Sequence, residues 1–164
     1  MSDQMPDIAF SNLREKAELL STVADRIWNA WSKDRGLSRE QVIRNLQSTI
    51  ASDDEFALVA HAGQKFVGTV SVITSDMVER PNLTPWIADV WVDSEYRNLG
   101  IASALVNAAE DIAAERGEDV LYLCCVPALR AYYSGLGGSE LESKVGREQA
   151  CIFRKTMLRK ALVL

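Results

Sequence analysis

Val90-Trp91-Val92-Asp93-Ser94-Glu95-Tyr96-Arg97-Asn98-Leu99-Gly100-Ile101-Ala102-Ser103-Ala104-Leu105-Val106 carries the reading of the fold. An apolar strand runs into a short polar turn, then a glycine, then apolar residues at helical spacing. The first N–H groups of a helix have no partner inside it. Together with the helix dipole they favour an anion at that spot. Gly100 has no side chain, so the backbone there can approach a ligand, and Arg97 adds a fixed positive charge suited to phosphate. The stretch predicts a pyrophosphate-bearing ligand at the start of the helix.

Upstream, Asp7–Phe10 reads as a short strand and Ser11 as an N-cap. Leu13, Ala17, Leu20, Ala24, Ile27 and Trp31 follow at spacings of three and four, which predicts one amphipathic helix over 12–32, punctuated by Gly36. Ser38 and Gln41 form a capping box for a second helix whose inner side carries Val42, Ile43, Leu46 and Ile50. Phe56–His61 and Phe66–Thr74 read as strands joined by the turn Ala62–Lys65. Ser75–Pro85 reads as a loop and Trp86–Val92 as the next strand. The helix after Gly100 should stop at Gly117. Val120–Val126 is an almost wholly apolar strand, as expected where both faces are covered. Pro127 opens a short helix that ends near Gly137-Gly138, and two more strands occupy Ser139–Leu158. The apolar end Ala161–Leu164 suits an edge or an interface, and so is compatible with a homodimer.

A chain of 164 residues suits one domain. By the usual scaling it buries roughly 70% of its surface, enough for a core without staples. No apolar run approaches about 18 residues, so no membrane span is expected. The N-terminus lacks the basic and apolar regions of a secretory signal. A net charge of −5 without a Lys/Arg run argues against nucleic acid as a partner. The cysteines are Cys124, Cys125 and Cys151, with no CxxC, and His61 is the only histidine, so no metal site is expected. Adjacent Cys124 and Cys125 in an apolar strand read as buried thiols rather than a disulfide, which fits a cytoplasmic protein.

Arg97-Asn98-Leu99-Gly100-Ile101-Ala102 resembles the acetyl-CoA-binding signature of the GNAT family of N-acetyltransferases: Arg or Gln, two residues, Gly, one residue, then Gly or Ala. The valine-rich strand before it, the helix and strand after it, and the Tyr132-Tyr133 pair strengthen the likeness. The resemblance implies an α+β GNAT-type acyl-CoA N-acyltransferase fold spanning residues 1–164 as a single domain. Its mixed central sheet would have about six to seven strands with flanking helices. The parallel strands Trp86–Val92 and Val120–Val126 would splay apart to admit the pantetheine arm. It further implies an enzyme that transfers acetyl from acetyl-CoA to a primary amine of a small molecule or a peptide, by direct attack in a ternary complex. A non-catalytic acyl-CoA-binding regulatory module of the same fold is the alternative. An interaction protein with a purely structural glycine turn is a third reading.

Such a transfer needs an amine stripped of its proton, donors for an oxyanion and a proton for the departing thiolate. By resemblance Tyr133, four residues before Gly137, is the acid. Asp89 is the candidate base, because an aspartate is out of place in an apolar strand. Asp76 or Glu79, acting through water, is an alternative. Trp91, Val92, Arg97, Asn98, Leu99, Gly100, Ile101, Ala102 and Ser103 would hold the cofactor, with a backbone N–H near Val92 as oxyanion donor. Trp28 and Trp86 would line the acceptor pocket, where an aromatic wall suits a cationic amine. The chain departs from the family at Ala102, at Val126-Pro127 where an Asn is common, and at Gly137-Gly138 where Gly-Phe is common.

Overall fold

A computed structural model of the chain describes residues 7–157. Among these residues, seven strands and four α-helices appear in the expected order. The strands are β1 (Ala9–Asn12), β2 (Phe56–Ala62), β3 (Lys65–Ile73), β4 (Trp86–Val92), β5 (Val120–Cys125), β6 (Ser139–Val145) and β7 (Ala150–Thr156). The helices are α1 (Leu20–Ile27), α2 (Arg39–Ala51), α3 (Ile101–Glu115) and α4 (Arg130–Gly135). The strands form one sheet ordered β1-β2-β3-β4-β5-β7-β6. It is mixed: β1 and β2 pair antiparallel, β4 and β5 pair parallel through Trp86↔Tyr122 and Ile87↔Leu123, and β7 pairs antiparallel with both β5 and β6. A parallel pair cannot be closed by a tight turn, and α3 supplies the crossover.

The contacts group into two compact units, one holding the chain up to Ser71 with Asp89–Val106, the other Val72–Ala88 with the chain from Asn107 on. In the first, Leu13, Val23, Ile27, Leu46, Val59 and Phe66 belong to one buried cluster, against which Trp28, Trp31 and Trp91 pack. In the second, Met77, Trp86, Val145, Ala150 and Ile152 form the cluster, with Tyr122 and Cys124 against it.

The N-terminal region differs from its sequence pattern. The strand extends to Asn12, so Ser11 is a strand residue and its Oγ meets His61 Nε2 at 2.8 Å rather than capping a helix. His61 is itself buried at a strand end, its Nδ1 2.8 Å from the Gly63 carbonyl. The cap is Asn12, whose side chain accepts from the Arg14 N–H at 2.9 Å. The single helix expected over 12–32 is broken into two 3₁₀ turns, Leu13–Glu15 and Ala17–Leu19, then α1, then a π-helical turn at Trp28–Ser32. Lys16, with φ −129° and ψ 49°, lies outside helical space and divides the two 3₁₀ turns. The capping box at Ser38 and Gln41 is present with both of its hydrogen bonds. Strand β5 stops at Cys125 and is buried on alternate residues, so only the Leu121, Leu123 and Cys125 face is fully covered. The apolar end Ala161–Leu164 lies outside the described residues.

Two backbone features shape β4. Asp89 adopts φ 56°, a left-handed conformation that an L-residue adopts at a cost and that interrupts strand alternation. Gly68 on β3 lies under the end of β4: a Cβ there would sit 2.8 Å from the Trp91 carbonyl oxygen and 3.2 Å from Leu105 Cδ1. Because the nearest atom is backbone, it cannot swing away. Gly68→Ala should therefore cost roughly 1–3 kcal/mol, lowering Tm by roughly 2–12 °C in a thermal melt. An unchanged Tm would refute this close approach.

Candidate functional site

In the first unit, the end of β4 turns into α3 through a tightly bonded loop. The Asp93 N–H donates to the Val67 carbonyl at 2.9 Å, and the Tyr96 N–H donates to the Asp93 carbonyl at 2.9 Å. These bonds close a 3₁₀ turn over Ser94–Tyr96, with the Tyr96 side chain buried beneath it. Arg97 is extended, Asn98 is left-handed at φ 63° and Gly100 at φ 77°. Asn tolerates that region and glycine occupies it without strain. Within the protein the demand at Gly100 is conformational, since a Cβ there would meet nothing within 4 Å. The first helical bond of α3 runs from the Ala104 N–H to the Gly100 carbonyl at 3.0 Å. The four N–H groups from Gly100 to Ser103 thus precede the helical ladder, an arrangement suited to an anion.

The side chains around this turn engage one another. The Arg97 Nε–H donates to the Val92 carbonyl at 2.9 Å, and its guanidinium lies 4.7 Å from the Trp91 ring centroid. Trp91 packs edge-on to Trp31 at 6.2 Å, and its indole N–H donates to Asp93 Oδ1 at 2.9 Å. Arg26 of α1 grips the same carboxylate, Nε to Oδ1 at 2.9 Å and Nη2 to Oδ2 at 3.2 Å. Sequence reasoning missed this pair. Its one legible signal was an aspartate immediately after an apolar strand; its partner, 67 residues earlier, has no local mark.

The two tryptophans expected in an acceptor pocket have other occupations. Trp86 is fully buried, with its indole N–H donating to the Leu83 carbonyl at 2.6 Å and its ring 5.7 Å from that of Tyr122. It is a core residue, and the expectation that it contacts substrate is corrected: no surface is left to touch one. Trp28 is half-buried on the π-helical turn. Its N–H donates to the Leu37 carbonyl at 2.8 Å, and the Arg39 and Lys33 cations lie 4.4 and 5.4 Å from its ring. The protein's own cations already use that aromatic face.

In the second unit, Tyr133 is half-buried on α4, with the Tyr132 ring 5.1 Å away in a T-shaped contact. Its phenol is pushed up to about 12, first by burial and then by its neighbours Tyr132, Cys125 and Cys124. The Cys125 thiol is pushed up to about 11 by burial, with smaller contributions from Cys151 and Glu140. Both groups therefore keep their protons at neutral pH. All three cysteines are free thiols; Cys125 and Cys151 are buried, whereas Cys124, expected to be buried, is half-exposed. The Cys124 thiol donates to Asp76 Oδ2 at 3.2 Å, which ties the loop after β3 to β5. That loop is also held by Arg80, which forms a bidentate pair with Glu142 at 2.6 and 2.8 Å; the pairing lowers the Glu142 carboxyl's pKa. Among the described residues no cluster of His, Cys, Asp and Glu could hold a metal, and no helix is long and apolar enough to cross a membrane.

The sequence matches the model of the acetyltransferase (GNAT) family over residues 20–137. No curated protein is significantly similar to it in sequence. Solved structures share the fold. An aminoglycoside 6'-N-acetyltransferase complexed with coenzyme A is 17% identical, with a TM-score of 0.73 over 93% of this chain and 98% of that one. A GNAT acetyltransferase from Staphylococcus aureus is also 17% identical, with a TM-score of 0.72 over 93% and 100%. A spermidine/spermine N-acetyltransferase from Vibrio cholerae is 16% identical, with a TM-score of 0.66 over 92% and 95%.

The high pKa of Tyr133 has a consequence for stability. Between about pH 10 and 12 the folded chain holds a phenolic proton that the unfolded chain releases, so stability falls as pH rises through that window. Tyr133→Phe lacks this term. Urea midpoints at about pH 9 and about pH 11 should therefore drop further for the wild type than for Tyr133→Phe. Equal drops would show that the phenol is not buried as described.

Proposed function

Because this chain belongs to the GNAT acetyltransferase family, we propose that it transfers an acetyl group from acetyl-CoA to a primary amine of a small molecule or a peptide, directly and within a ternary complex. The observation that carries this reading is the left-handed turn at Asn98 and Gly100, which leads into the leading N–H groups of α3. The family uses acetyl-CoA as its acetyl donor, and this turn fits a pyrophosphate: it combines open space at Gly100, helix N–H donors and an arginine. The amine acceptors named for two of the structural neighbours, an aminoglycoside and spermidine or spermine, support the acceptor class. The family match runs through parts of both units, which supports residues 1–164 as one domain. Three free thiols suit a reducing, cytoplasmic setting.

Bound acetyl-CoA supplies an activated thioester. Gly100 to Ser103 hold its pyrophosphate, with the terminal nitrogens of Arg97 adding charge while Nε stays on the Val92 carbonyl. Asp89 takes the proton from the acceptor's ammonium, directly or through water, and a backbone N–H near Val92 meets the negative charge developing on the carbonyl oxygen. Tyr133 donates to the departing sulfur. With its pKa near 12, the phenol is protonated at every working pH. Full proton transfer to an ordinary thiolate is uphill by roughly 3–4 units, so its contribution is a hydrogen bond that strengthens as charge gathers on sulfur. The raised thiol pKa of Cys125 argues against a thiolate nucleophile there and favours direct attack by the amine.

Acetyl-CoA at about 100 times its Kd should stabilise the protein by about 2.7 kcal/mol, a rise in Tm of roughly 5–11 °C. Spermidine and an aminoglycoside such as kanamycin are then the first acceptors to screen for thiol release. Binding without release to any amine would favour the regulatory module. Tyr133→Phe should lower kcat by about 10²-fold or more while acetyl-CoA affinity stays within about twofold of wild type. Asp89→Asn should erase the acidic limb of the pH–rate profile; an unaltered limb would assign the base to another group.

A further inference from the structure

We propose that Asp93 is a positioning residue for the pyrophosphate turn, locked in place by Arg26 of α1. This rests on the reading of that turn as the acetyl-CoA pyrophosphate site. By charge alone Asp93 is misplaced. A carboxylate four residues before Arg97, in a turn meant for a doubly charged group, repels its ligand.

The contacts supply a reason for its presence. Arg26 meets both carboxylate oxygens in a planar fork, at 2.9 and 3.2 Å, the geometry that fixes orientation as well as charge. Trp91 adds a third donor to Oδ1. The Asp93 main chain is held equally firmly: its N–H bonds Val67 of β3, and its carbonyl closes the 3₁₀ turn that delivers Arg97. One residue therefore joins α1, β3 and the turn. Arg26 is braced in turn by Asp25 at 3.0 Å and by the Phe66 ring at 5.5 Å. The Asp93 side chain is only 18% exposed and that of Arg26 33%, so solvent screens this pair less than an open surface pair. Arg26 neutralises the carboxylate before any ligand arrives, and the rigidity of the turn remains. The clamp also gives α1, which continues directly into the π-helical turn at Trp28–Ser32, a direct hold on the cofactor turn.

Electrostatics and positioning predict opposite signs, and calorimetric titration with acetyl-CoA separates them. If charge dominates, Asp93→Asn removes a repulsive anion and binds acetyl-CoA as well as or better than the wild type. If the clamp positions the turn, Asp93→Asn and Arg26→Met each weaken binding about tenfold or more. The double variant should then be no weaker than the worse single within about threefold, because both remove the same interaction. Arg26→Lys should recover part of the affinity. Trp91→Phe removes the donor to Asp93 together with part of the ring that Arg97 and Trp31 contact, and should weaken binding several-fold; combined with Arg26→Met its loss should overlap rather than multiply if it acts through Asp93, and that pair carries the test if Asp93→Asn does not fold. Unchanged or tighter binding by Asp93→Asn, or losses that multiply in the double variant, would overturn the clamp and leave the family reading intact. A wild-type protein that does not bind acetyl-CoA at all would overturn both.

Discussion

The turn from β4 into α3 hangs from the Asp93 carboxylate. It accepts from Arg26 and Trp91, while the main chain of the same residue bonds Val67 and closes onto Tyr96. A turn that must present several backbone N–H groups to one anion needs its dihedrals held before the ligand arrives, since ordering it on binding would cost conformational entropy. Gly100 and Asn98 make the left-handed geometry inexpensive. Gly68 lets β4 lie close enough over β3 for the Asp93 bond to form. The packing of Trp31 against Trp91 extends the same support into the core of the first unit.

Burial sets the chemistry available in the second unit. Tyr133 and Cys125 are both driven toward their neutral forms, which leaves a phenol able to donate and a thiol unable to attack. A donor aimed at a charge that exists only in the transition state contributes to rate rather than to ground-state affinity. Direct transfer needs no enzyme nucleophile, because holding the amine and the thioester together supplies much of the acceleration.

Local periodicity was a faithful guide where one interaction range dominated. The β4–turn–α3 segment, the capping box at Ser38 and Gln41, and the helix-opening proline at Pro127 all appear as read, because caps, turns and strand alternation are made by residues close in the chain. The long helix expected over 12–32 failed for a related reason. Its apolar spacing was right only in part: Leu13, Ala24 and Ile27 are buried, but Ala17 is exposed and Leu19 and Val23 are buried in its place, because a non-helical Lys16 and the capping side chain of Asn12 broke it into short turns. Hydrophobic spacing reports which face is covered only while the backbone stays helical, and the break at Lys16 shifted that face.

The candidate site divides along the same line. The turn and the helix start at Gly100 and Ile101 were legible because a glycine and the helical apolar spacing that follows it lie within a few positions. The roles of the tryptophans were not legible. Trp86 proved to be core and Trp28 a partner for Arg39 and Lys33, since whether an indole meets solvent or protein depends on residues distant in the chain. Local order along the chain thus announced the family, the strand–turn–helix and the order of elements. Folding decided that Arg26 would close on Asp93 and that Cys124 would bond Asp76. Both depend on bringing together groups separated by tens of residues, and no pattern of neighbours records that distance.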